Sequence, residues 1–216
     1  MRISSNKKLV FIGDSITDCG RAQPVGEGRG EALGRGYVAQ VEALFEAAHP
    51  EANLRIVNVG TSGHTVRDLA ARWQRDVMDL KPHWLSVMIG INDVWRQFDS
   101  PHQTEKHVPP TEYEETLRRL VADTRPRLEG LVLMTPFFIE PNRADPMRVR
   151  MDEYGAIVKQ VAAEHDAILV DTQAAFDAVL AHRHPMALAW DRVHPSQAGH
   201  MVLARAFLKG IEFDWR

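Results

Sequence analysis

A three-layer α/β/α sandwich built on a parallel sheet is the fold this 216-residue sequence predicts, and three observations predict it. Five short apolar runs rich in valine, isoleucine and leucine recur along the chain. Helical patterns with one apolar stripe lie between them, and no repeat, low-complexity tract or linker divides the whole. Strand and helix in regular alternation imply a parallel sheet with right-handed crossovers and helices on both faces. One domain over 1–216 is the expected organisation.

The runs are LVFIG from Leu9, LRIVNVG from Leu54, WLSVMIG from Trp84, GLVLMTPF from Gly130 and AILVDT from Ala167. None keeps a polar alternate face, so each reads as a strand buried on both sides. After the first, GYVAQVEALFEAAHP repeats Val38, Val41, Phe45 and Ala48; after the second, TVRDLAARWQRDVMDL repeats Val66, Leu69, Trp73, Val77 and Leu80. A spacing of three to four is that of an amphipathic helix. Further helices are predicted from Thr111 to Asp123 and from Pro146 to Asp166, with Met147, Met151, Tyr154, Val158 and Val161 toward the sheet. A shorter helix near Phe176 and a last one from Pro195 to Leu208 complete the set.

The least regular stretches are Arg21 to Arg35 and Asp99 to Pro110, both following strand ends, where open α/β sheets bind ligands. PVGEGRGEALGRGY has no GxGxxG at a strand-to-helix turn and no GxxxxGK[ST], so it reads as a mobile loop rather than a phosphate cradle. No HExxH occurs among the ten histidines, and the pair His182 and His184 is expected to be solvated. No metal and no cofactor are expected.

A formal net charge of −3 leaves no electrostatic footprint for nucleic acid or an anionic membrane, and a small neutral or weakly charged substrate fits better. Cys19 is the only cysteine, so no intrachain disulfide forms, and it reads as a small buried filler. The short apolar run Leu9–Ile12 before Gly13 is too brief for a signal-peptide core or a membrane span, which leads to the expectation of a cytoplasmic protein.

FIGDSITDCGR carries the first chemical signal, because Ser15 stands just beyond the first strand. Alone, GDS is a turn as readily as a nucleophile. A serine hydroxyl needs a neutral histidine to take its proton and a carboxylate to hold that histidine's tautomer. WDRVHPSQAGH supplies Asp191 and His194 three residues apart, with Pro195 suited to the first helical position and His194 thus at the helix start. Acyl transfer also needs oxyanion donors, and the ends of the second and third strands offer Gly63 in NVGTSGHT and Asn92 in MIGIND beside the backbone N–H of Ser15. Singly, Gly63 also suits a turn and Asn92 a cap.

GDSIT, the glycine of NVGTSG, GIND and DxxH, in that order, resemble the motif blocks of the SGNH hydrolases, also called GDSL esterases and lipases. The resemblance covers nearly the whole chain, with Ile16 replacing the block's leucine. It implies a flavodoxin-like sandwich of five parallel strands and a serine hydrolase whose naming residues fall on Ser15, Gly63, Asn92 and His194, with Asp191 completing the triad. Within that family, GYVAQV, RWQRDV, GINDVWRQF, LMTPF and AWDRVHPSQAGHMVLARAFL resemble bacterial acetylxylan esterases, implying removal of acetyl groups from short acetylated oligosaccharides. No GxSxG elbow supports an α/β-hydrolase. A thioesterase or lysophospholipase of the same superfamily, or a non-catalytic carbohydrate-binding protein, are the alternatives.

Trp95 and Trp190 are candidate substrate-binding walls for a pyranose ring, with core or interface packing as the other reading of each. Asp14 is grouped with them as the carboxylate that bonds the amides of the turn. Five tryptophans and the tail EFDWR suggest a homo-oligomer.

Overall fold

The computed structural model describes residues 1–215. Its strands are β1 (Lys8–Gly13), β2 (Arg55–Asn58), β3 (Trp84–Met88), β4 (Gly130–Met134) and β5 (Ile168–Val170). They form one parallel sheet in the order β2-β1-β3-β4-β5. Val10 lies level with Val57 on one side and Leu85 on the other, and Val87 with Leu133. β1, β3 and β4 are buried almost throughout, as runs without a polar face require. β5 departs from that pattern, with Leu169 exposed, because an edge strand has a neighbour on one side only.

Eight helices surround the sheet among the described residues: α1 (Ser15–Asp18), α2 (Tyr37–Ala48), α3 (Val66–Trp73), α4 (Ile91–Asp99), α5 (Pro110–Thr124), α6 (Pro146–Glu164), α7 (Thr172–Leu180) and α8 (Gln197–Gly210). α3, α5 and α6 pack in succession, while α2, α8 and α7 form a second group. The two groups follow from the topology: the chain steps from β1 outward to β2, then returns across β1 to β3, and crossovers of one hand then fall on opposite faces. Phe11 of β1 meets Tyr37 of α2 at 5.7 Å and Phe207 of α8 at 4.9 Å, each such buried ring contributing about 1.5–3 kcal/mol. On the other side Tyr113 and Tyr154 join α5 to α6 at 4.8 Å.

Local signals set most helix starts. Thr65 and Asp68 form a capping box before α3, Asp145 caps α6 with Pro146 in its first turn, and Asp171 caps α7. α3 runs on through a π turn, Gln74–Met78, so the single predicted helix holds with a widened ladder. α1 and α4 were not expected from the sequence, although Ile91, Val94 and Trp95 repeat at helical spacing. The last helix starts later than predicted: Ser196 is its cap, so Pro195 precedes the helix and His194 stands two residues before the cap.

Arg21 to Arg35 is tied down rather than free. The buried Arg21 donates from Nε to the Gly60 carbonyl at 2.6 Å and from Nη1 to the carbonyls of Ala22 and Pro24. Gly26 adds an antiparallel bridge to Asn58 on the free edge of β2. Cys19 is half-buried, closing α1 in a left-handed conformation with its N–H on the Ser15 carbonyl, and is not the buried filler expected.

Asp93 joins two helix starts. Its Oδ1 accepts the Val66 N–H at 2.9 Å, while Oδ2 finds no hydrogen-bond partner among the described residues. Burial pushes its carboxyl up to about 7 against the opposing Val66 bond, helped by the nearby charges of Asp14 and Asp68. A carboxyl whose folded value exceeds its unfolded one binds more protons when folded, so stability falls as pH rises from about 4 to 7. For Asp93 this amounts to an upper bound on the order of 4 kcal/mol. Asp93→Asn is expected to lose less stability than wild type between about pH 5 and 8 in urea unfolding. Equal losses in the two proteins would show that Asp93 does not titrate in this window.

Candidate active site

β1 ends where the chemistry begins. The Gly13 carbonyl accepts from Thr61 N–H at 3.0 Å and from Arg72 Nη2 at 2.8 Å, which fixes the strand end. Asp14 follows in extended backbone, 1 % exposed, and its Oδ1 caps α1 by accepting the Ile16 N–H at 3.0 Å. Burial raises the Asp14 carboxyl to about 7, opposed by the Ile16 bond and the charges of His194 and Arg72. This turn presents Ser15 at the carboxyl edge between β1 and β3, where the strand order reverses and open α/β sheets bind ligands.

The partners of Ser15 come from one tight turn 179 residues away. Ser15 Oγ lies 3.0 Å from His194 Nε2, and His194 Nδ1 lies 2.6 Å from Asp191 Oδ2. The turn winds round its own carboxylate, since Asp191 Oδ1 accepts the N–H groups of Val193 at 2.9 Å and His194 at 2.8 Å. Burial pushes the Asp191 carboxyl up, but hydrogen bonds from the His194 ring, the His194 N–H and the Val193 N–H outweigh it and hold the group below the usual range. An ionised Asp191 keeps the proton on Nδ1 and leaves the Nε2 lone pair facing the serine hydroxyl. Arg192, inside the turn, has φ 64°; its carbonyl accepts from Ile139 N–H at 2.9 Å and its guanidinium pairs with Glu140. The Trp95 ring meets the His194 ring edge-on at 5.7 Å.

Three donors converge on the same edge. Gly63 has φ +81°, a left-handed value that favours glycine, and a Cβ built there meets nothing within 4 Å, so a side chain would project into open space. Among the described residues the N–H groups of Ser15 and Gly63 donate to no other group. The preceding Ser62 is bound through N–H and hydroxyl to Asp18 of α1 at 3.1 and 2.8 Å, which ties this loop to the serine turn. Asn92, buried in the first turn of α4, gives one Nδ2–H to the His64 carbonyl at 2.9 Å and keeps the other.

The sequence model of the GDSL-like lipase/acylhydrolase family matches residues 11–202. The chain belongs to this family. The acetylxylan esterase of Geobacillus stearothermophilus is 62% identical over 215 residues, covering 100% of this chain and 98% of that protein. The crystal structure of that enzyme, Axe2, covers the same shares with a TM-score of 0.98. LAE5, an alpha/beta hydrolase enzyme from the metagenome of Lake Arreo, Spain, is 57% identical over 99% of this chain and 98% of its own, with a TM-score of 0.97. Axe2 variants S15A, D191A and H194A are described as catalytic mutants of that enzyme.

In this GDSL-like chain the fold gathers Ser15, Asp191, His194, Gly63, Asn92 and Trp95 at one edge. Two predicted substrate-binding residues do not join them. Asp14 is spent on the turn and too deeply buried to meet a substrate, and Trp190, 81% exposed, makes no ring contact with His194 of the kind Trp95 makes. Buried His200, which the motif strings contained without distinction, accepts the Tyr37 N–H on Nδ1 at 3.2 Å and turns Nε2 toward Cys19 Sγ at 3.4 Å. Burial lowers its pKa to about 4, with the charge of His194 adding to the effect, so it stays neutral. Arg72, Glu140 and Arg192 escaped sequence reasoning because they bond mainly to backbone or to residues far along the chain.

Gly63→Ala tests the loop. The left-handed backbone is expected to cost about 1–2 kcal/mol in urea unfolding. The methyl group in the open space is expected to lower kcat/KM on an aryl acetate by about 10²-fold, comparable to losing one oxyanion donor. A stability loss without a rate loss would confine Gly63 to a backbone role.

Proposed function

We propose that this chain is a serine esterase that removes O-acetyl groups from short acetylated sugars, with xylo-oligosaccharides as its substrate class. The observation that carries the reading is the Ser15–His194–Asp191 relay, 3.0 and 2.6 Å long; Gly63 and Asn92, on the loops beside it, supply the oxyanion donors in this reading. The likeness to the Geobacillus acetylxylan esterase supports the substrate class, and that enzyme's catalytic mutants fall at the same three numbers.

Ser15 Oγ attacks the acetyl carbonyl carbon while its proton passes to His194 Nε2, and Asp191 stabilises the imidazolium. The carbonyl oxygen becomes an oxyanion held by the N–H groups of Ser15 and Gly63 and the Asn92 amide. Collapse breaks the bond to the sugar oxygen, which takes the proton from His194 and leaves as an alcohol. Water, deprotonated by the same histidine, then attacks the acetyl-serine carbonyl, and Ser15 Oγ leaves with that proton returned from His194, releasing acetate. Trp95, already against the His194 ring, forms a wall for the departing sugar.

The reading extends to organisation. Residues 1–216 act as one domain, in keeping with the single hydrophobic cluster of the described residues. Self-association is part of it: Trp190 at 81% and Trp215 at 55% exposure are large apolar surfaces suited to a partner copy, while Arg216 of the predicted tail lies outside the described residues. We assign the enzyme to the cytoplasm, acting on imported oligosaccharides; no helix among the described residues is long and apolar enough to cross a membrane.

Ser15→Ala and His194→Ala are each expected to lower turnover of an aryl acetate by about 10⁴-fold or more with the fold retained. A tenth of wild-type activity in either would overturn the relay. Substrate class is tested by comparing acetyl, propionyl and butyryl esters of one leaving group, then acetylated xylobiose against intact acetylxylan, following acid release. Each added methylene is expected to cost about 10–200-fold in kcat/KM, and the short sugar to be preferred. Equal rates on acetyl and butyryl esters, or faster release from a lysophospholipid or thioester, would move the chain to another branch of its family.

A further inference from the structure

An asparagine amide is a usable oxyanion donor only if its nitrogen, not its oxygen, faces the reacting centre. Rotation by half a turn about its last torsion exchanges the two, so something has to hold the orientation. One constraint is the His64 carbonyl, which takes a hydrogen from Asn92 Nδ2 at 2.9 Å. The other is Arg96, one helical turn further along α4, whose Nη2 donates to Asn92 Oδ1 at 3.2 Å. With an acceptor on the nitrogen and a cation on the oxygen, the amide has one orientation that satisfies both ends. The flipped amide would set its oxygen against the His64 carbonyl and its N–H groups against a guanidinium.

Arg96 is itself held. It pairs with Asp99 on the same helix, and its guanidinium carbon sits 4.9 Å from the centroid of the Trp95 ring. That ring touches His194, so Asn92, Trp95 and Arg96, within five residues of α4, link the base and the oxyanion donor. Arg96 also shares with Gly63 the wall of a cleft of about 430 Å³. A positive charge on Oδ1 draws electron density from the amide nitrogen and makes the remaining N–H a stronger donor, an effect that grows as negative charge develops opposite it.

We infer that Arg96 is a positioning residue for catalysis: through Asn92 Oδ1 it fixes the orientation of the amide and strengthens its free N–H toward the oxyanion. This rests on the proposed role of Asn92, and a double-mutant cycle separates the two. On an aryl acetate, Asn92→Ala is expected to lower kcat by about 10²–10³-fold. Arg96→Ala is expected to lower kcat about 10-fold with KM within about twofold, because the interaction matures in the transition state. Added to Asn92→Ala, the second substitution should cost no more than about twofold, and Arg96→Lys should recover part of the single-variant loss. Thermal midpoints of all variants, measured alongside, distinguish a lost orientation from a lost fold. An Arg96→Ala enzyme with wild-type kcat, or one whose loss multiplies unchanged on the Asn92→Ala background, would overturn the inference. An Asn92→Ala enzyme with near wild-type kcat would instead remove the oxyanion role of Asn92 and this inference with it.

Discussion

The buried guanidinium of Arg72 joins the carboxyl ends of β1 and β2, beside the point where the strand order reverses. It donates to the carbonyls of Gly13 on β1 and Val59 beyond β2, to His64 Nδ1 and to Asp76, at 2.6 to 3.0 Å. A cation in this position is costly, since transfer from water carries a penalty of several kcal/mol, and burial pulls the Arg72 pKa down while Asp76 draws it back in part. The chemistry of the edge explains why a cation stands there. Carbonyls leaving the carboxyl end of a parallel sheet lack the next strand residue to bond, and a planar group with five donors satisfies several at once.

The geometry of the site is a consequence. Gly13 leads directly into the Ser15 turn, and Val59 into the loop carrying Gly63, so a bond to both carbonyls sets the separation of nucleophile and donor. His64, oriented by the same arginine, receives the amide hydrogen of Asn92 on its carbonyl and brings α4 into the arrangement. The Asp191 turn is referenced separately, through the Ile139 N–H and the Glu140 carboxylate on Arg192. Arg148 in turn binds the Glu140 carbonyl at 2.6 Å and the Asp177 carboxylate, so this second support reaches α6 and α7.

The strands were legible because β1, β3 and β4 lie in the middle of the sheet, where burial on both faces leaves an unbroken apolar run. β5 shows the limit of that signal, since half an edge strand can face water and still pair. Asp191 and His194 were legible because their contact is local, closed within four residues. Arg72 was not: two of its ligands are backbone carbonyls, 13 and 59 residues away, and a carbonyl has no residue type to read. Trp95 and Trp190 had equal claims by position, and only the path of the chain separates them. One lies on a helix against His194, the other stands 81% exposed beside a turn that curls around its own carboxylate.

The sequence distance inside the relay has a consequence for how activity appears as the chain folds. The base and its carboxylate form one self-contained turn, yet the serine that needs them sits 179 residues away. Neither half is an esterase alone. The contact closes on the same sheet edge that α8 flanks, with Phe207 packed on Phe11, and at a separation of 179 residues it is among the longest-range hydrogen bonds of the described residues. Labelling of Ser15 by a mechanism-based acylating agent therefore counts fully assembled molecules, and a partly folded chain carries its hydroxyl as harmlessly as any other serine.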